Sequence, residues 1–153
     1  MRVRGIVSFD IYTDGGCSGN PGPGAWAFVI SRDGETTEGS GFERETTNNR
    51  MELTAVIRAL ETAAAIDGNI TIHTDSQYVK NGITQWIKNW ERNGWKTSSK
   101  EPVKNQELWM KLKSLSDSRV VDWKWLKGHA GHEQNERCDS LVQAEIRKQA
   151  SQP

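Results

Sequence analysis

Two short stretches of this chain end in the same dipeptide. VSFDIYTD closes on Thr13-Asp14 and NITIHTD closes on Thr74-Asp75, each just ahead of a turn or helix. If the two are parallel neighbouring strands, the carboxylates of Asp14 and Asp75 project side by side about 5 Å apart. The carboxyl ends of strands are where α/β sheets usually hold their chemistry. Two further acids can join them. Glu52 falls at the edge of a helical apolar stripe, and Asp139 lies beside the apolar positions Cys138, Leu141 and Val142. Unit charges about 5 Å apart repel by roughly 3 kcal/mol at an effective dielectric of about 20. Some of these acids must then stay protonated, or a cation must neutralise them. Carboxylates without His or Cys partners are hard oxygen ligands, which suit Mg²⁺ or Mn²⁺ better than zinc. The competing reading is ordinary: a single Asp or Glu is more often a solvated surface group, and Asp14 alone could close an Asx-turn.

Other residues could contribute. His129 stands between Gly128 and Ala130-Gly131 in a loop ahead of the last helix, and histidine passes protons near neutrality. A lone loop histidine is also often incidental. From Lys80 to Lys104 there are six Lys or Arg and two acids, interleaved with Trp86, Trp90 and Trp95. Aromatic faces among cations are a recurring nucleic-acid grip. Trp86 and Trp90 also fit the buried side of a helix with Ile83 and Ile87, leaving Lys88, Arg92, Lys96 and Lys100 outside. A zinc site from Cys17, His129, His132 and Cys138 can be drawn, but its spacing matches no common zinc module.

The elements that must position these groups follow from periodicity. Residues 7–14 alternate with the period of a strand, and the glycines and prolines from Gly15 to Gly24 are expected to end it. Residues 25–31 form a second strand, Asp33-Gly34 a hairpin turn, and residues 36–42 a third. Thr46, Thr47, Asn48 and Asn49 supply helix-capping side chains. Leu53, Ile57, Leu60 and Ala64 then mark an amphipathic helix to about Ile66. Residues 69–75 are a strand. Helical or irregular segments follow to about Ser118, broken at Gly82, Gly94 and Pro102. Residues 120–126 are the last strand, with Val121, Trp123 and Trp125 on one face. A final helix carries Cys138 and Asp139, and the polar tail from about Lys148 is expected to fray. The order predicts an α/β fold, a mixed sheet flanked by helices, with the fourth strand parallel to the first.

Bulk properties exclude several classes. The 153 residues suit one domain. Mean hydropathy is −0.73, and no apolar run approaches the ~20 residues of a membrane helix. No signal peptide is legible, so a cytoplasmic location without membrane association is expected. Two cysteines suggest free thiols rather than a disulfide scaffold. Net charge is zero but uneven: residues 1–75 hold 6 Lys or Arg against 11 Asp or Glu, and residues 76–153 hold 14 against 9. That asymmetry is compatible with a polyanionic partner.

The motifs together resemble a known family. YTDGGCSGNPGPGAW (12–26), TTNNRMEL (46–53), TDSQYV (74–79), GITQWIKNW (82–90), GWKT (94–97), PVKN (102–105), LKGHAGH (126–132) and NERCD (135–139) occur in the order found in bacterial type 1 ribonuclease H. That family cuts the RNA strand of RNA–DNA hybrids. The resemblance implies a five-stranded mixed sheet flanked by helices. It also implies that Asp14, Glu52, Asp75 and Asp139 are metal-binding carboxylates and that His129 is the catalytic histidine. It places Asn20, Asn49 and Gln77 along the RNA strand, with main-chain groups around Cys17 to Asn20 reading its 2′-hydroxyls and Asn48 also binding substrate, and Thr47 and Asn89 at a DNA-strand phosphate with Trp86 beside the DNA sugars. Lys88, Arg92 and Lys96 fall in a basic protrusion. Glu91 and Asn93 dilute that protrusion, and Glu45 stands where several relatives carry a basic residue; both predict a weaker grip on the hybrid.

The resemblance further implies a monomeric endonuclease using two Mg²⁺ ions, with Mn²⁺ as a substitute, held roughly 4 Å apart as in other two-metal sites. One ion would activate water and the other would stabilise the leaving oxygen, giving 3′-hydroxyl and 5′-phosphate ends. Two rival readings are a non-catalytic nucleic-acid-binding module and another nuclease on the same fold. The first should lack one or more of the four acids, and the second should lack TTNNRMEL, the tryptophan-rich segment and the His129 loop.

Overall fold

The computed structural model describes residues 7–126 and 133–150. Among them five strands form one mixed sheet: β1 (Ser8–Cys17), β2 (Gly22–Arg32), β3 (Glu35–Thr46), β4 (Asn69–Thr74) and β5 (Val121–Trp125). The order across the sheet is β3-β2-β1-β4-β5. The first three strands are antiparallel neighbours, and β4 runs parallel to both β1 and β5. This is the architecture expected from the sequence.

Alternation of side chains explains the two layers. Phe9, Ile11, Phe28, Ile30, Ile70 and Ile72 pack against α1 (Asn48–Ala63) and α4 (Gln106–Asp117) through Leu53, Val56, Leu60, Trp109 and Leu112. On the other face, Ala25, Ala27 and Val29 meet Cys138 and Val142 of α5 (Glu133–Ala150). The small alanines let α5 approach closely.

The boundaries differ from expectation where packing overrides local preference. The glycines after Asp14 do not end β1, which pairs with β2 as far as Cys17↔Gly24. Gly15 is there because α1 leaves no room for a side chain. A Cβ would lie 2.6 Å from the Glu52 main-chain nitrogen and against the Met51 carbonyl carbon. Gly82 does not break the helical segment either. A π-helical turn (Gly82–Trp86) joins α2 (Gln77–Asn81) to α3 (Ile87–Arg92), and the Trp109 ring occupies the space a side chain at 82 would need.

Helix α1 stops at Ala63, before Ile66. Its end is held by the Arg119 guanidinium, which donates to the carbonyls of Ala63 (2.7 Å), Ile66 (2.6 Å) and Gly68 (2.7 Å). At the other terminus α5 continues in regular helix to Ala150, past the expected fraying point at Lys148. Asp33-Gly34 does form the hairpin turn, with φ of 53° and 82°. Among the described residues, no helix is long and apolar enough to cross a membrane.

Candidate active site

Asp14 is near the carboxyl end of β1, and Asp75 directly follows β4. The parallel register of these strands runs from Ser8↔Asn69 to Tyr12↔His73 and brings the two acids to one edge of the sheet. Helix α1 supplies the third acid. Its N-terminal turns cross β1 at Gly15, whose N–H donates to Glu52 Oε1 at 2.9 Å. Carboxylate oxygens of Asp14, Glu52 and Asp75 all lie within 4.8 Å of one another. Asp14 is 6 % exposed, while Glu52 and Asp75 keep intermediate exposure as residues.

Burial pushes the Glu52 carboxyl well above the usual carboxylate range, and the charges of Asp14 and Asp75 push it further. The Gly15 N–H and the Ser76 hydroxyl act in the opposite direction and are outweighed. Glu52 Oε2 is buried and accepts no hydrogen bond. A buried oxygen without a donor is costly unless something positive meets it. Three oxygen ligands, one of them with an unmet acceptor, fit a hard divalent cation. A cation there would oppose that upward push on the Glu52 carboxyl.

Asp139 is on α5 and is not part of the close group of three. Its helix is nonetheless fixed against the site's strand. The neighbouring Cys138 thiol donates to the Tyr12 carbonyl at 3.3 Å, and burial pushes that thiol up strongly, so it stays protonated. Farther out, Arg137 grips Glu38 through Nε (2.6 Å) and Nη2 (3.0 Å), and Ser40 donates to Glu145 (3.2 Å). His129 lies outside the described residues.

The β1–β2 tip and the start of α1 are tied together by two of the expected substrate residues. Asn48 Oδ1 accepts from the Cys17 main-chain N–H (2.8 Å), and Asn20 Oδ1 accepts from the Asn48 N–H (3.1 Å). Thr47 is the N-cap of α1, its hydroxyl accepting from Arg50 N at 3.2 Å. Asn20, Asn48, Asn49 and Gln77 are exposed around the acids' end of the sheet.

The aromatic segment is anchored from inside, as expected. Trp86, Trp90 and Trp95 are half-buried and form a chain of ring contacts 5.6–6.0 Å apart that also includes Tyr78 and Trp109. The Trp109 Nε1–H donates to the Tyr78 hydroxyl at 2.9 Å. Lys88, Asn89, Arg92 and Lys96 all face solvent.

Sequence reasoning missed three contributors. The Gly15 N–H to Glu52 shows in the sequence only as one glycine among many. The Ser76 hydroxyl beside Glu52 carries no signal of that role in the sequence; it is also the N-cap of α2, accepting from Val79 N at 3.1 Å. Trp125 donates its indole N–H to the Asp75 carbonyl at 3.2 Å, an interaction no periodicity foretells.

Comparison with known proteins agrees with this geometry. The sequence model of the RNase H family matches residues 7–147. A ribonuclease H from Ruegeria sp. (strain TM1040) is 58 % identical over 138 residues, 87 % of each chain. One from Treponema denticola is 52 % identical over 152 residues, covering 89 % of this chain and 95 % of its own. Among solved structures, LC9-RNase H1, a type 1 RNase H with the type 2 active-site motif, superposes with a TM-score of 0.82 at 30 % identity. That match covers 97 % of this chain and 76 % of that one. LC11-RNase H1 in complex with an RNA/DNA hybrid gives 0.72 at 31 % identity over 94 % and 99 %. The chain belongs to the RNase H family and is a ribonuclease H enzyme, with three clustered carboxylates that could hold a metal ion.

Proposed function

We propose that this protein hydrolyses the RNA strand of RNA–DNA hybrids with Mg²⁺ held by Asp14, Glu52, Asp75 and Asp139, acting as a single-domain monomer in the cytoplasm. The observation that carries the reading is the convergence of three carboxylates within 4.8 Å beside the β1–β2 tip. Two divalent cations, when bound, supply the positive charge that lets water attack the phosphodiester and lets the 3′-oxygen leave.

The chain's own residues then position. Asp14 and Asp75 are set by parallel strand register, and Glu52 by the Gly15 N–H. The Asn20–Asn48–Cys17 connection holds the β1–β2 tip against α1, where main-chain groups can meet the 2′-hydroxyls that distinguish RNA from DNA. Exposed Lys88, Arg92 and Lys96 add a cationic grip on the hybrid, Thr47 and Asn89 form the pocket for a DNA-strand phosphate, and Trp86 packs beside the DNA sugars. His129 takes up or relays a proton. The solved LC11-RNase H1 complex with an RNA/DNA hybrid supports the choice of substrate.

The test is hydrolysis of end-labelled RNA–DNA hybrid, duplex RNA and duplex DNA in Mg²⁺. Cutting confined to the hybrid's RNA strand, with 3′-hydroxyl and 5′-phosphate ends, is expected. Equal cutting of all three duplexes would remove the substrate assignment, and full activity in Asp14→Asn would remove the metal assignment.

A further inference from the structure

We infer that Trp125 is a positioning residue for Asp75, its indole N–H fixing the main chain from which that carboxylate projects. The inference rests on the reading of Asp75 as a cation ligand.

The parallel ladder between β4 and β5 ends on the pair Thr74↔Trp125. One main-chain bond follows it, from Leu126 N–H to the Thr74 carbonyl at 2.7 Å. The next carbonyl belongs to Asp75 and lies past the end of the ladder. Main-chain acceptors beyond a sheet need another donor, and here the donor is Trp125 Nε1 at 3.2 Å.

Asp75 itself belongs to neither a strand nor a helix. Its link to α2 is short: Ser76 is the N-cap, and the Ser76 N–H donates to the Thr74 hydroxyl at 3.0 Å. The indole therefore adds a tie from outside this turn, anchored on a different strand. A carboxylate on a two-residue connection has no regular hydrogen-bond ladder of its own to set its direction.

The ring is poorly placed for ordinary core packing, being 37 % exposed. Two of its contacts among the described residues are with polar or charged groups. Lys80 of α2 holds its ammonium 4.7 Å from the ring centroid, so the indole is fixed from one side by a cation and reaches Asp75 from its edge. The arrangement joins α2, the end of β5 and the main chain of Asp75. It also places Trp125 at the last strand residue before the segment that carries His129.

The test separates the indole's N–H from its face. Trp125→Phe keeps an aromatic face for Lys80 or for a nucleic-acid base but removes the donor. Mn²⁺ binding to the full chain, followed by electron paramagnetic resonance without nucleic acid, reads the carboxylate site directly. Trp125→Phe should weaken Mn²⁺ binding by about three- to tenfold, below the roughly 10–100-fold typical of groups that hydrogen-bond a metal ligand's own side chain, because the indole holds only the Asp75 main chain. The Mg²⁺ concentration giving half-maximal cleavage should rise by the same factor, with the KM for hybrid unchanged. Melting temperatures in EDTA confirm that each variant is folded at the assay temperature.

Wild-type Mn²⁺ binding in Trp125→Phe, with weak binding in Asp75→Asn, would overturn the role of Trp125 and leave the cation site standing. A higher hybrid KM with unchanged Mn²⁺ binding would overturn it in favour of stacking on substrate. Wild-type Mn²⁺ binding and cleavage in Asp75→Asn would remove the metal-ligand reading itself.

Discussion

Glu52→Gln separates what the acidic cluster does for stability from what it does for activity. The substitution preserves shape, and its Oε1 can still accept from the Gly15 N–H. It removes one of the three charges of the group. With carboxylate oxygens at up to 4.8 Å, each ionised pair costs about 3 kcal/mol at an effective dielectric of about 20. Two of the three pairs involve Glu52. Solvent around Asp75 screens part of this cost, which leaves a gain of about 2 kcal/mol for Gln at pH 8 without metal. For a domain of this size that corresponds to roughly 4–8 °C in melting temperature.

The pH dependence has a definite sign. The folded carboxyl is raised well above 4.5, so the folded state holds a proton that the unfolded chain releases. That contribution to stability is complete below the ordinary value of 4.5 and is lost as pH rises through the raised folded value. Thermal unfolding by circular dichroism in EDTA, from pH 5 to pH 9, measures it. The gap between Glu52→Gln and wild type should be small at the acidic end and widen upward. Millimolar Mg²⁺ should reverse the order by stabilising only the wild type. Parallel curves, or a Gln variant less stable at pH 8, would refute the electrostatic argument.

Gly15→Ala must push α1 away from β1, because the new Cβ meets Met51 and Glu52 main-chain atoms; urea denaturation should show a loss of about 2–4 kcal/mol, and a loss under 1 kcal/mol would show that the helix can shift freely. Arg119→Met removes the donor to three carbonyls at the end of α1 and should cost about 2–3 kcal/mol in the same assay; an effect near zero would mean that water replaces the guanidinium. Lys100 has φ of +65° on an exposed turn, so Lys100→Gly should stabilise by about 1 kcal/mol; a destabilised variant would deny the strain. Replacing Lys88, Arg92 and Lys96 together by Gln should weaken hybrid binding and flatten its salt dependence by roughly 0.7–0.9 in log–log slope for each phosphate no longer neutralised; an unchanged slope would take these residues off the duplex.

Much of this architecture was legible because it is local. The Thr74-Asp75 strand ending, the Leu53/Ile57/Leu60 stripe and the Asp33-Gly34 turn are period and turn signals, and each appears where expected. The tryptophans at 86 and 90 were legible as an internal anchor for the same reason. The misplaced boundaries have a different cause. Gly15, at the head of a glycine- and proline-rich run, and Gly82 looked like breaks because glycine usually interrupts regular structure, whereas here they make room for α1 and for Trp109 across the fold. The stop of α1 depends on Arg119, more than fifty residues away in sequence. The same limit applies at the site. Spacing could nominate Asp14, Glu52 and Asp75, but only tertiary structure reveals that Asp139 stands outside their close group and that Trp125 reaches the Asp75 carbonyl.

The central claim is that the carboxylates near the ends of β1 and β4, together with Glu52 of α1, form the cation site. Crystals grown with Mn²⁺, measured near the manganese absorption edge, test it most directly. The account predicts anomalous density in contact with carboxylate oxygens of Asp14, Glu52 and Asp75, abolished in Asp14→Asn. Manganese bound only elsewhere, or density at this place that survives the loss of Asp14, would contradict it.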